Sequence, residues 1–281
     1  MVAIKTYYIE EMDKPKIFWK KIKIENDNCK INLNLEKGKN IKNLLKRLEQ
    51  NEVTNVVLSK EIEQNKNIIN GLNSYGINIF DGRWLIKYLV IEILDYIIKQ
   101  TDLNKQEIEI AITTNEITDL TIETVKILSK QYRRTTIVTN YIEKLRKVEK
   151  EIYEKEGILI TISNNQKKSL NRAQIIVNMD FNKELLNKYN INENAIILNL
   201  EGDMKIENKR FNGINVNDYE IEVGREEFIW RENMNKFRTK DLFESVLYMK
   251  DTFKNIRAKI GKCKVSIKAL YGINGKIERF S

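Results

Sequence analysis

The chain has 281 residues, 32% of them charged, with a net charge of +9, two cysteines, one proline and no histidine. Such a length holds one large α/β domain or two smaller ones, and no run of 18 apolar residues suggests a spanning helix. Without histidine there is no Ser-His or Cys-His nucleophile pair, and two distant cysteines, Cys29 and Cys263, exclude a Cys/His zinc site.

The first residues show no basic segment followed by a long apolar run, so a secretory signal is not expected; with two unpaired-looking cysteines the expected compartment is the cytoplasm. Residues 4–10, 16–25 and 29–35 read as an antiparallel meander, with turns at Met12-Asp13-Lys14-Pro15 and Asn26-Asp27-Asn28. A helix over 40–50, a strand over 55–59, a helix over 61–72 and a strand over 77–80 follow as a weaker α/β lobe. Behind the Asp81-Gly82 turn, 84–98 is the most apolar helical stretch in the chain, broken only by Lys87, Glu92 and Asp95.

The clearest pattern lies between 107 and 200. Strands over 107–113, 135–139, 158–162, 174–178 and 195–200, rich in Ile, Val and Thr, alternate with helical segments. That alternation predicts βαβ units and a Rossmann-like, mostly parallel sheet. Yet the stretch holds one glycine, Gly157, and the loop after its first strand reads Thr113-Thr114-Asn115-Glu116-Ile117-Thr118 where a dinucleotide fold needs G-x-G-x-x-G. The second strand ends in Thr139-Asn140, with no carboxylate for a ribose. No dinucleotide and no other cofactor is therefore expected. In layout, a βαβ series after a first lobe and a long connecting helix, the stretch resembles the cofactor half of shikimate-dehydrogenase-like proteins. The resemblance implies a Rossmann-like domain and carries no catalytic residue over, since the glycine loop is missing and no Lys-Asp pair aligns.

Ligands of open α/β sheets bind beyond the carboxyl ends of the strands. The candidates there are Thr113, Thr114, Asn115, Asn140, Asn164, Asn178 and Asp180. Such side chains suit a ribose or a base; Thr114, Asn140 and Asn164 also suit helix N-caps, which is the plainer reading. Glu201 and Asp203, with Asp180, read as solvated loop carboxylates, and no metal is expected.

After residue 200 regularity declines, with a strand over 218–223. Charge is uneven: residues 231–281 carry 13 basic and 5 acidic groups, whereas 201–230 sum to −4. Residues 241–260 read as one amphipathic helix, with Leu242, Val246, Met249, Phe253, Ile256 and Ile260 on one face, Lys250, Lys254 and Arg257 on another, and a stop at Gly261. A strand over 262–270 would set Lys262, Lys264 and Lys268 on one side. Gly272 to Lys276 reads as a hairpin turn. The expected division is 1–100, 101–205 and a basic 206–281 that packs back on the first lobe. The favoured reading is a non-enzymatic binding protein whose partner is a protein or another anionic macromolecule, met through the basic segment. An enzyme on a degenerate dinucleotide fold using Lys, Asp or Tyr, and a nucleic-acid binder, are the alternatives.

Overall fold

Five short strands from the first eighty residues form one sheet in the computed structural model, which describes residues 5–12, 22–31, 38–101, 103–207, 210–224, 234–248 and 251–280. They are β1 (Thr6–Glu11), β2 (Ile22–Glu25), β3 (Asn28–Ile31), β4 (Asn55–Leu58) and β5 (Asn78–Phe80), in the order β2-β3-β1-β4-β5. Only β2 and β3 pair antiparallel, as a tight hairpin with Asn26 in the left-handed region at φ 55°. β1 lies parallel to both β3 and β4, and β4 parallel to β5. The expected three-stranded meander is thereby corrected to a hairpin beside a parallel strand. Alternating burial reports a strand but not the direction of its neighbour. The Met12–Pro15 turn of that expectation runs outside the described residues.

Helix Gly38–Gln50 buries Leu44, Leu45 and Leu48 in a core with Ile9, Val56, Leu58 and Leu72. The expected 61–72 helix comes in two pieces, a 3₁₀ turn Ile62–Gln64 and a helix Lys66–Ser74. Asn65 makes the break, its side chain accepting from the amides of Asn67 at 3.1 Å and Ile68 at 3.2 Å. A second, smaller cluster gathers Tyr8, Val57 and Phe80 with Phe237 and Leu242. Leu242 comes from helix Thr239–Leu247.

Six more strands form the central sheet: β6 (Glu109–Thr113), β7 (Arg134–Val138), β8 (Thr161–Ser163), β9 (Ile175–Asn178), β10 (Ile196–Asn199) and β11 (Ile214–Val216). Every neighbouring pair is parallel, in the order β11-β10-β9-β6-β7-β8. Counted from β6 this is 6-5-4-1-2-3, the doubly wound order, and the direction in which successive strands are added to the sheet reverses between β6 and β9. β9 and β10 are buried at every residue, as a sheet covered on both faces requires. Helix Asp119–Gln131 joins β6 to β7, and helix Ile142–Glu156 leads from β7 towards β8. Gly157, at φ 68°, caps that second helix with its amide on Tyr153 O, so the single glycine of the stretch serves a helix end. β8 starts later than the 158–162 expected, and Leu159 before it is 83% exposed.

Three antiparallel strands complete the set: β12 (Asp218–Glu222), β13 (Ser266–Gly272) and β14 (Gly275–Lys276). β13 and β14 close a hairpin around Ile273 and Asn274, with Gly275 at φ 103°. The 84–98 helix is also divided, into a single turn Arg83–Ile86 and helix Val90–Lys99. Among the described residues no helix is long and apolar enough to cross a membrane.

The C-terminal amphipathic stretch departs most from expectation. In place of one helix over 241–260 there are two, Thr239–Leu247 and Phe253–Lys262. Thr252 starts the second, its side chain accepting from Asn255 N at 3.4 Å. Gly261 lies inside that helix, which ends two residues before Lys264 at φ 48°.

Contact density divides the chain into two compact units, both discontinuous. One comprises Met1–Trp84 with Arg225–Asp251, the other Leu85–Gly224 with Thr252–Ser281. The stretches 1–100, 101–205 and 206–281 do not coincide with these units, and 206–281 is shared between them.

Candidate functional site

The reversal point between β6 and β9 brings the sequence candidates together. Thr113 and Asn178 are register partners at the carboxyl ends of these strands, both fully buried, and Thr113 Oγ1 donates to Asn178 Oδ1 at 2.6 Å. Asn178 Nδ2 donates to Phe181 O at 2.9 Å and lies 3.3 Å from Asn199 Oδ1. Asn199 Nδ2 continues to Asn217 Oδ1 at 2.7 Å, and Asn217 Nδ2 to Met204 O at 3.1 Å. This asparagine ladder crosses the strand ends from β9 past β10. Its amides satisfy one another, which is what makes burying them tolerable.

Asp180 is the decisive group. Two residues past β9, its carboxylate turns under the loop that follows β6. Asn115 N donates to Asp180 Oδ1 at 2.7 Å and Oδ2 at 2.9 Å, and Glu116 N donates to Oδ2 at 2.7 Å. Thr114 Oγ1 stands 2.9 Å from both Asp180 Oδ2 and Glu116 O, and its single proton serves one of them. Successive backbone amides converging on one acceptor form an anion-binding nest, the arrangement that cradles phosphates in nucleotide-binding loops. Here the anion is the chain's own side chain.

The neighbouring loop is tied to the same place. Asn115 Oδ1 accepts from Asn140 N at 2.9 Å and stands 3.4 Å from Thr139 Oγ1, bridging the ends of β6 and β7. Tyr189 OH lies 3.5 Å from Asn140 Oδ1, and burial pushes this phenol up. Asn164, exposed beyond the edge strand β8, does not join the cluster. The N-cap reading of Thr114, Asn140 and Asn164 is corrected. Thr118 caps helix Asp119–Gln131, accepting from Thr121 N at 3.2 Å, while Tyr141 precedes helix Ile142–Glu156 with no side-chain cap. Sequence reasoning missed Asn199 and Asn217; an Asn at the end of successive strands was the available signal. Glu201 pairs with Lys87 at 2.5 Å, and among the described residues no three carboxylates or cysteines gather as a metal site.

The basic C-terminal candidates do not form the stripe expected of them. Arg257 Nη1 is 2.6 Å from Glu92 Oε2 and donates to Tyr88 O at 2.6 Å, so its charge serves an internal ion pair. Lys262 ends a helix, Lys264 occupies the left-handed turn after it, and only Lys268 lies in β13. The alternation that aligned them fails because the helix continues through Gly261. Lys254, Lys264 and Lys268 are exposed, and Lys250 lies outside the described residues.

No family model matches the chain, and no curated protein matches it. Among solved structures it is similar to the A chain of dipicolinate synthase from Bacillus subtilis, at 12% identity over 51% of this chain and 48% of that one, TM-score 0.33. Ornithine transcarbamoylase from Giardia lamblia gives 11% identity over 70% and 73%, TM-score 0.29. L-tryptophan dehydrogenase from Nostoc punctiforme gives 8% over 84% and 68%, TM-score 0.34. At such scores the likenesses carry no argument, and the Rossmann-like assignment rests on the strand order of the central sheet.

Proposed function

We propose that the protein works by binding a macromolecular partner, on a Rossmann-like sheet that takes no dinucleotide and performs no catalysis. The observation that carries this reading is the Asp180 carboxylate on the amides of Asn115 and Glu116. A pyrophosphate entering the loop would have to displace that carboxylate and then sit beside it. Two unit charges about 4 Å apart at an effective dielectric of about 20 repel by about 4 kcal/mol. That corresponds to about three orders of magnitude in affinity, before the lost hydrogen bonds are counted. The absence of histidine supports the non-catalytic half of the reading.

The partner in this reading is a protein or another anionic macromolecule, attracted by the net charge of +9 and met at exposed Lys254, Lys264 and Lys268. Calorimetric titration of the protein with NAD⁺, NADH, NADP⁺ and NADPH tests the first claim: no binding heat is expected, and micromolar affinity for any of them would overturn it. For the second, a mobility shift with duplex DNA is expected to be weak. A strong, steeply salt-dependent shift abolished by changing the three lysines to glutamate would replace the protein partner by nucleic acid.

A further inference from the structure

The central sheet ends on β8, and among the described residues no strand pairs with its outer side. Helix Ile142–Glu156 packs on that strand. An uncovered edge of this kind offers free backbone donors and acceptors to another strand. The surface beside it is also apolar. Of six large apolar side chains that stand exposed among the described residues, three belong to this helix and its flanks: Tyr141, Tyr153 and Leu159. Leu159, two residues before β8, is the most exposed of them all.

The helix itself carries an ordered charge pattern. It buries Leu145 and Ile152, while Lys144, Lys147, Glu151 and Glu154, spaced three, four and three apart, form an exposed stripe on another face. Two basic residues are followed by two acidic ones. Residues 142–148 sum to +2 and residues 149–156 to −2. A helix on its own is stabilised by the reverse order, acidic groups at its amino end and basic groups at its carboxyl end, as Glu143 and Lys155 beside the stripe provide. Within the helix the stripe is only loosely engaged. Glu151 lies 3.6 Å from Lys155 and Glu154 lies 3.7 Å from Lys150, and Lys147 makes no ion pair among the described residues. The sign change at its midpoint makes the stripe complementary to itself when two copies run antiparallel.

We propose that β8 and helix Ile142–Glu156 form the interface of a two-fold homodimer. A two-fold axis through the edge, perpendicular to the sheet, sets β8 antiparallel to its copy and lays the two helices antiparallel on one face. Lys144 then meets Glu154 of the second copy and Lys147 meets Glu151 of the second copy, each pair occurring twice. Leu159 is covered as the strands join. Exposed ion pairs add little affinity, so strand pairing and apolar cover hold the dimer, while the stripe selects direction and register. An interface of one short strand and one helix is small, so the dimer exchanges with monomer on dilution. This surface is separate from the macromolecular binding proposed above, because Lys254, Lys264 and Lys268 take no part in it.

Sedimentation velocity of the full chain over a dilution series tests this. The native protein is expected to pass from 33.3 kDa to twice that mass as its concentration rises. Lys144→Glu with Lys147→Glu makes the stripe wholly acidic, and Glu151→Lys with Glu154→Lys makes it wholly basic; each double variant should stay monomeric. An equimolar mixture of the two should recover the dimer, since each stripe then faces the opposite charge. A native protein at the monomer mass throughout, double variants that still dimerise, or a mixture that does not, would overturn the proposal. Circular dichroism checks that the variants fold. Should they not, Leu159→Arg in the native background replaces them: loss of the dimer is expected, and a persisting dimer overturns the proposal.

Discussion

Replacing Asp180 with alanine removes the acceptor of two backbone amides and one hydroxyl while leaving the strands untouched. Each hydrogen bond to a charged group contributes about 1.5–3 kcal/mol net, and exposed donors recover part of that from water. Thr114 Oγ1 keeps Glu116 O as an acceptor at 2.9 Å, so the loss falls on the amides of half-buried Asn115 and exposed Glu116, the first more than the second. A total near 3 kcal/mol follows, which for a unit of this size lowers Tm by about 6–12 °C. Asp180→Asn keeps the shape and one acceptor but not the charge, and should lose about half as much. Thermal unfolding of the native protein and both variants, followed by circular dichroism, measures this. The same variants titrated with inorganic phosphate test whether the emptied nest accepts an outside anion: weak stabilisation of Asp180→Ala is expected and none of the native protein. An Asp180→Ala protein melting within about 1 °C of the native one would refute the view that the carboxylate holds the loop.

Asn178→Ala should cost about 2–4 kcal/mol, because it strands buried Thr113 and the Phe181 amide and cuts the ladder, and urea unfolding will show it. Arg257→Ala leaves the half-buried Glu92 carboxylate without its cation and should destabilise by about 1–3 kcal/mol, while Lys254→Ala on the same helix stays within about 0.5 kcal/mol. Burial pushes the Cys29 thiol up to about 12, so a thiol reagent at mildly alkaline pH should titrate only Cys263 in the folded protein and both cysteines in denaturant. The folded thiol ionises later than the unfolded one, so stability from this group is present below about pH 9 and declines above it; melting curves between about pH 8 and pH 10.5 check the sign.

The central sheet was legible because its evidence is local. Ile196–Asn199 and Ile175–Asn178 are short apolar runs, and buried parallel strands have no other signature. The crevice was legible in part: Thr113, Asn178 and Asp180 follow from their places at strand ends. That Asp180 would turn onto the Asn115 amide was not, because the contact spans 65 residues and depends on β6 lying beside β9. The break between helices Thr239–Leu247 and Phe253–Lys262 had a local sign, Thr252 as a cap, that the continuous apolar spacing concealed. Arg257 illustrates the opposite difficulty. Its charge looks outward in sequence and is claimed by Glu92, which belongs to a helix 165 positions earlier. The direction of β1 against β3 was invisible for the same reason, since pairing partners are a global property.

The interleaving of the two units bears on how the polypeptide is made. A ribosome delivers β1, β4 and β5 early, but the helix that packs on β4 and β5 emerges only after the whole central sheet has been synthesised. Until then Tyr8, Val57 and Phe80 lack Phe237 and Leu242 and present an uncovered apolar face. Nascent chains halted near residue 224 should therefore be prone to aggregate and to recruit chaperones, so that completion of the unit begun by residues 1–84 waits on translation of the carboxyl-terminal quarter.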